Sequence, residues 1–277
     1  SAERYPVVIV GAGPVGVLAA TLLAQYGIRS LILDRWAGVY PQPSAVHLDD
    51  EVYRILDRAG VGSEFAAISQ PGLGLRLLGP DHRVLTEFRR DPGGGQHGFP
   101  QANMFDQPEL EALLRHNLQR YPQATLRCDA EVTGIAGTRV TFTNRRDGTL
   151  HTVEADYLLG CDGANSLARR HIGATMRDLR FEQRWLVIDV DSRVGLQQWG
   201  GVHQVCDPHR AATFMHIGGA RYRWEFRLRP GESADDFDTL GALRPLIAPW
   251  LGTTAEADLR LIRVAEYTFR AQVADRW

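Results

Sequence analysis

Residues 7–24 are apolar apart from Thr21, but the run changes character along its length. Val7-Val8-Ile9-Val10 is β-branched at every position, which predicts a strand buried on both faces. Gly11-Ala12-Gly13-Pro14-Val15-Gly16 interrupts it. A helical stretch over 17–26 then ends at Gly27, and a second apolar strand over 30–33 ends in Asp34. A membrane span would need about 20 apolar residues with no such interruption. A secretion signal would need a basic start, an apolar centre and a small-residue cleavage site, and Arg4 offers only the first. Strand, glycine turn, helix, strand and acid within about 30 residues fit neither; they describe a dinucleotide cradle and no membrane span.

Each cradle position has a physical task. Gly11 permits the tight turn, Gly13 lets a pyrophosphate approach the backbone, and Gly16 lets helix and strand pack closely. The helix N-terminus offers free N–H groups and the positive end of its dipole to phosphates. Asp34 lies 18 residues beyond Gly16, where a carboxylate can accept ribose hydroxyls; this favours FAD or NAD over NADP.

The rest of the pattern is mixed. Pro41 and Pro43 put a loop at 40–44. Leu48, Val52, Ile55, Leu56 and Ala59 recur at helical spacing and predict one helix over 47–59. "GLRLLGPDHRVLTEF" alternates on both sides of Gly79-Pro80-Asp81 and reads as a hairpin. "RRDPGGGQHGFP" reads as a mobile flap. A helix is expected over 107–121, with Asp106 as N-cap and Pro108 in its first turn. "ATLRCDAEVTGI" and "TRVTFTNRRDGTLHTVEADYLLGCDG" hold several strands, turned at Asp147-Gly148. Strands dominate 184–228. "SADDFDTLGALRPLIAPWL" reads as a helix broken near its prolines, and a last strand covers 259–267. This order predicts an α/β nucleotide domain with an α+β partner.

Composition narrows the chemistry. The chain has 277 residues, 44% of them hydrophobic, enough for one large domain or two modest ones. A net charge of -2 offers no basic field, so nucleic acid is not an expected partner. All 31 basic residues are Arg, which leaves no lysine chemistry. Cys128, Cys161 and Cys206 are odd in number and widely spaced, which predicts reduced thiols and a cytoplasmic protein. No CxxC pair is present, and His47, His97, His203, His209 and His216 lack ligand spacing, so no metal is expected.

A second motif lies near the middle. "DYLLGCDGANS" runs from a strand through Asp162-Gly163 to Ser166 at a helix start. Alone it is an ordinary turn, but the carboxyl end of an α/β strand is where ligands bind. Six further segments follow the cradle's family order: "PSAVHLDDEVYRIL", "NMFDQPELEALL", "LLGCDGANSLARR", "WLVIDVD", "CDPHRAATFMHIGGARYRWEFRLRPGE" and "YTFRAQVADRW". On these residues the chain resembles the FAD-dependent aromatic hydroxylases, the single-component flavoprotein monooxygenases, and among them the 3-(3-hydroxyphenyl)propionate hydroxylase group.

The resemblance implies an α/β, Rossmann-like FAD-binding domain with GxGxxG and Asp-Gly motifs. It also implies an inserted α+β, mostly antiparallel-sheet substrate domain. The expected boundaries are 1–72, 99–177 and 265–277 for the first and 73–98 and 178–264 for the second. FAD contacts are implied at Gly11, Gly13, Pro14, Gly16, Asp34, Arg35, Gln107, Asp162 and Gly163, the last two also serving NADH or NADPH as co-substrate. The sheet over 184–228 would roof the flavin ring. Tyr222, Trp224 and Phe226 share one strand face by period two, with His216 or Met215 on a neighbouring strand. His216, Tyr222, Trp224 and Phe226 are therefore candidate pocket walls; plain sheet packing is the competing reading for these aromatics and Trp185.

Two departures stand out. Ser44 occupies a position that is often Arg in the family, with Arg35 or Arg54 as substitutes. The chain also ends at Trp277, before a third FAD motif, so a fragment of a longer enzyme is expected. The implied reaction is O2- and NAD(P)H-dependent hydroxylation of a phenolic aromatic compound through a flavin C4a-hydroperoxide, in a family whose habit is the homodimer. The alternatives are a truncated, non-catalytic flavin- or nucleotide-binding remnant, or another flavin-dependent oxidoreductase of the same fold. No catalytic side chain is singled out.

Overall fold

The computed structural model describes residues 3–41 and 44–277. The glycine-interrupted run folds as its pattern predicts, into β1 (Glu3–Val10), α1 (Pro14–Gln25) and β2 (Ser30–Leu33). Next come β3 (His47–Asp49), α2 (Asp50–Arg58), α3 (Gly62–Ile68) and β4 (Ser69–Pro71). The hairpin β5 (Gly74–Leu78) and β6 (Val84–Arg89) leads to β7 (Ala102–Phe105) and α4 (Gln107–Leu118). β8 (Ala124–Arg127), β9 (Ala130–Ala136), β10 (Arg139–Asn144), β11 (Leu150–Gly160) and α5 (Leu167–His171) follow. The remainder is β12 (Met176–Ser192), β13 (Val202–Val205), β14 (Ala212–Gly218), β15 (Arg221–Arg227), α6 (Leu240–Leu251) and β16 (Leu259–Ala274).

Three sheets result. The first has order β8-β2-β1-β11-β10-β9, and its four strands β8, β2, β1 and β11 are parallel. Helices pack Val17, Leu56, Phe65 and Leu114 against Val7, Ile9 and Ile32 on one face. Val8, Leu31, Leu33, Val140 and Val153 form a second core on the other. Coverage on both faces is why β1 and β2 are apolar without alternation. The second sheet has order β16-β12-β15-β14-β13-β5-β6 and is antiparallel except between β13 and β5. α6 closes one of its faces, packing Leu243, Ile247 and Trp250 into the core with Ile188, Phe214 and Trp224. The small sheet β3-β7-β4 bridges the two: Val46 and Met104 meet Met215 and Ile217 of β14.

Several expectations need correction. Residues 47–49 are not helical; they pair with β7, and the helix begins only where Asp49 caps it by accepting from Val52 N at 2.9 Å. Its buried face is Tyr53 and Leu56, while Val52 is 38% exposed. The prolines do not break α6, which runs through Pro245 and Pro249 because Leu243, Ile247, Trp250 and Leu251 all gain burial against the sheet. The last strand continues past 267 to Ala274, paired with β12 throughout. Residues 265–274 are strand residues of the seven-stranded sheet. The glycine-rich flap is pinned: His97 N donates to Asp50 Oδ2 at 3.2 Å, and Phe99 stacks on Tyr53 at 4.4 Å. The loop expected at 40–44 falls partly on Gln42 and Pro43, which lie outside the described residues.

Candidate cofactor site

The carboxyl ends of β1, β2 and β11 converge at the glycine turn. Gly11 N donates to Leu33 O at 2.8 Å and Cys161 N to Val10 O at 2.8 Å, which fixes the turn between its neighbours. Gly11 has φ +99° and a Cβ there would lie 2.3 Å from Cys161 O. A Cβ on Gly16 would lie 2.0 Å from Gly11 O. These two glycines serve the fold. Gly13 differs: a Cβ there meets nothing within 4 Å, so open space lies over the start of α1. Pro14 begins the helix, where its missing N–H costs nothing. This is a cradle that a phosphate can enter.

Asp34 ends beside that turn, 6% exposed. Its Oδ2 accepts from Arg115 Nη2 at 2.5 Å, and among the described residues its Oδ1 meets only Trp36 N, at 3.5 Å. Arg35 is exposed and lies over the Trp36 ring at 5.1 Å, with Arg145 over the same ring at 5.4 Å. Gln107 opens α4 and clamps a loop: its Oε1 accepts from Ser44 N at 2.9 Å and Ala45 N at 2.7 Å, and its Nε2 donates to Glu111 at 2.7 Å. Burial pushes the Glu111 carboxyl up. Asp162 caps α5, accepting from Ser166 Oγ, from Leu167 N at 2.6 Å and from Ala168 N at 3.1 Å. Gly163, at φ +76°, completes a turn that lies against Gly11. The glycines, Asp34, Asp162 and Gly163 thus come together, while Arg54 pairs with Glu51 at 4.0 Å on α2.

The candidate pocket walls lie elsewhere. Tyr222, Trp224 and Phe226 share a face, but it is the face under α6. Trp224 has no exposed surface and sits 5.1 Å from Phe214, while Phe226 sits 6.2 Å from Trp250. His216 is half-buried, stacked on Tyr222 at 4.4 Å with Nε2 2.8 Å from Gly219 O. Sheet packing accounts for all four.

The opposite face carries charge, which the sequence reading missed. Arg223 forks onto Asp189 at 2.7 and 2.9 Å, both side chains 1% exposed, and reaches Ser44 O at 3.4 Å. Arg221 pairs with Asp191 at 2.5 Å and lies 3.9 Å from Asp106. A cleft of about 430 Å³ opens here, lined by Gln70, Asp106, Glu109, Asp191, Ile217 and Arg221. Asp106 does not cap α4 with its side chain; one carboxylate oxygen is buried without a partner among the described residues, and burial pushes the group up, as it does Glu109 and Glu225. The available signal was the alternation in "WLVIDVD" and "RYRWEF", which puts charges on a strand whose neighbours are core.

A FAD binding domain family matches residues 4–277. The chain belongs to that family. The open space at Gly13, with an acid at Asp34, fits the pyrophosphate and ribose of FAD. A probable NADH-specific resorcinol 4-hydroxylase of Rhodococcus jostii is 30% identical over 99% of this chain and 52% of its own length. A 3-(3-hydroxyphenyl)propionate/3-hydroxycinnamic acid hydroxylase of Burkholderia vietnamiensis is 31% identical over 99% of this chain and 50% of its own. The chain spans about half the length of these curated relatives. In fold it is similar to p-nitrophenol 4-monooxygenase of Pseudomonas putida, with TM-score 0.87, 20% identity, and coverage of 99% of this chain and 70% of that one. The flavin-dependent monooxygenase PieE, solved with FAD and substrate, gives TM-score 0.83 at 22% identity, over 99% and 51%. Among the described residues no helix is long and apolar enough to cross a membrane.

Proposed function

We propose that the protein carrying this chain is an FAD- and NAD(P)H-dependent monooxygenase that hydroxylates a phenolic aromatic compound with O2. The observation that carries this reading is an intact cradle within a chain that aligns over 99% of its length with ring hydroxylases at 30–31% identity. FAD, when bound, supplies the electron transfer between NAD(P)H and O2 that such chemistry needs.

The chain's own residues bind and orient. Gly13 and the α1 N-terminus receive the pyrophosphate, and Asp34 accepts the ribose hydroxyls. Gln107 holds the backbone N–H groups of Ser44 and Ala45, and Arg223 reaches Ser44 O. Asp162 and Gly163 shape the turn against Gly11 without spending the carboxylate on a ligand. The charged face of the second sheet, not its aromatic face, borders the nucleotide side and is the proposed substrate side. A cytoplasmic homodimer belongs to the same reading; free thiols at Cys128, Cys161 and Cys206 support the reducing compartment.

The test is substrate-stimulated NADH or NADPH oxidation and O2 uptake by the flavin-loaded full-length protein across a panel of phenols. Stimulation with a hydroxylated product is expected. A flavin-loaded protein that no phenol stimulates would point to a non-catalytic flavin binder.

A further inference from the structure

The acid expected to read the ribose is not free-standing. Asp34 is 6% exposed, and a carboxylate so buried needs a counter-charge to remain useful as an acceptor. Arg115 supplies it from the third turn of α4, with a side chain itself 13% exposed. The same Nη2 that meets Asp34 Oδ2 at 2.5 Å donates to Ala12 O at 3.1 Å, inside the glycine turn. Nη1 reaches Cys128 Sγ at 3.7 Å, beyond the end of β8. Nε is buried with no hydrogen-bond partner among the described residues, so the guanidinium is oriented by what its two Nη groups hold.

From this geometry we infer that Arg115 is the positioning residue of the adenosine ribose subsite: it ties the Asp34 carboxylate to the glycine turn and leaves Oδ1 to accept a ribose hydroxyl. The inference rests on the FAD reading and deepens it. One planar fork joins three segments that are far apart in sequence: the β1–α1 turn, the end of β2 and the residue after β8. It sets the spacing between the pyrophosphate cradle and the ribose acid, two features that must match a single rigid ligand. Because Oδ2 is engaged, the carboxylate cannot rotate freely, and among the described residues Oδ1 has weak contact, with Trp36 N at 3.5 Å. A lysine could place a charge there but could not hold two acceptors in one plane.

The test is the ratio of two affinities, measured by fluorescence titration of the full-length apoprotein. The ligands are FAD and its analogue lacking the 2′-hydroxyl on the adenosine ribose. The wild-type protein is expected to prefer FAD by about tenfold, the scale of one good hydrogen bond to a charged acceptor. In Arg115→Met the preference should fall close to one, and Asp34→Asn should do the same. The double variant should lose no more than either alone. Arg115→Lys should restore only part of the preference, and Arg115→Gln serves where the methionine variant does not fold. A merely structural role would weaken both ligands equally and leave the ratio at its wild-type value, which would overturn the inference. A wild-type protein that binds FAD without discriminating the analogue would overturn it as well, while leaving the FAD reading intact. A wild-type protein that binds no FAD would remove both.

Discussion

At the scale of single residues, the glycines of one motif divide into two kinds. Gly16 is a packing glycine, since a Cβ there would strike the Gly11 carbonyl at 2.0 Å. Gly16→Ala should cost about 1–3 kcal/mol in chemical denaturation, the usual scale of overpacking. Gly13 has φ -71°, which any residue adopts, and nothing within 4 Å of its absent Cβ. Gly13→Ala should therefore leave stability within about 0.5 kcal/mol of wild type. It should still weaken FAD by about tenfold, or about 1.4 kcal/mol, because the methyl group occupies the space the pyrophosphate needs. Equal losses of stability in both variants would refute the division. Asp189 tests a different cost. Its removal strips the bidentate partner from Arg223, which is 1% exposed, so Asp189→Ala should destabilise by about 3–5 kcal/mol in urea unfolding. A change under about 1 kcal/mol would show that the pair is dispensable.

At the scale of elements, α6 and the sheet beneath it explain why the aromatic strand was misassigned. Period two correctly put Tyr222, Trp224 and Phe226 on one face, but periodicity does not say which face meets a helix and which meets a ligand. Trp250, Ile247 and Leu243 of α6 decide that. Trp224→Ala should cost about 3–5 kcal/mol of stability, the range for a buried large aromatic side chain. The same layer holds His203, whose Nδ1 accepts from Trp250 Nε1 at 3.2 Å while Nε2 lies 3.1 Å from Trp199 O. That arrangement needs the neutral ring, and burial holds its pKa below the ordinary value of about 6.5. The stability it contributes is present above about pH 6.5 and is lost as pH falls through the depressed folded value. Thermal melts between pH 8 and 5 should show a steeper acid loss for wild type than for His203→Gln; parallel curves would count against a neutral buried histidine. Element boundaries erred where a local pattern met a tertiary partner. Residues 47–49 carry helix-like spacing but are taken by β7, and the prolines of α6 are overridden by four buried side chains.

At the scale of the whole molecule, the cradle was legible because its signal is local: strand, turn, helix, strand and acid sit within one short segment. Asp162-Gly163 was legible for the same reason, although its carboxylate caps α5 instead of facing the open cradle. The latch at Arg115 was not legible. It depends on three segments brought together by the sheet order β8-β2-β1-β11, and nothing near residue 115 marks it except a charge among Leu110, Leu114 and Leu118. The ion pairs on the inner face of the second sheet were hidden likewise, since partners such as Asp189 and Arg223 are 34 residues apart. In the proposed arrangement the first sheet holds FAD and the charged face of the second is turned toward it. The most direct measurement is an FAD titration of the full-length apoprotein, read by the flavin absorption spectrum and fluorescence. One FAD per chain, with a bound-flavin spectrum and an affinity weakened by Gly13→Ala, is the predicted result. Failure to bind FAD in a folded protein that binds NAD at the same cradle would contradict it.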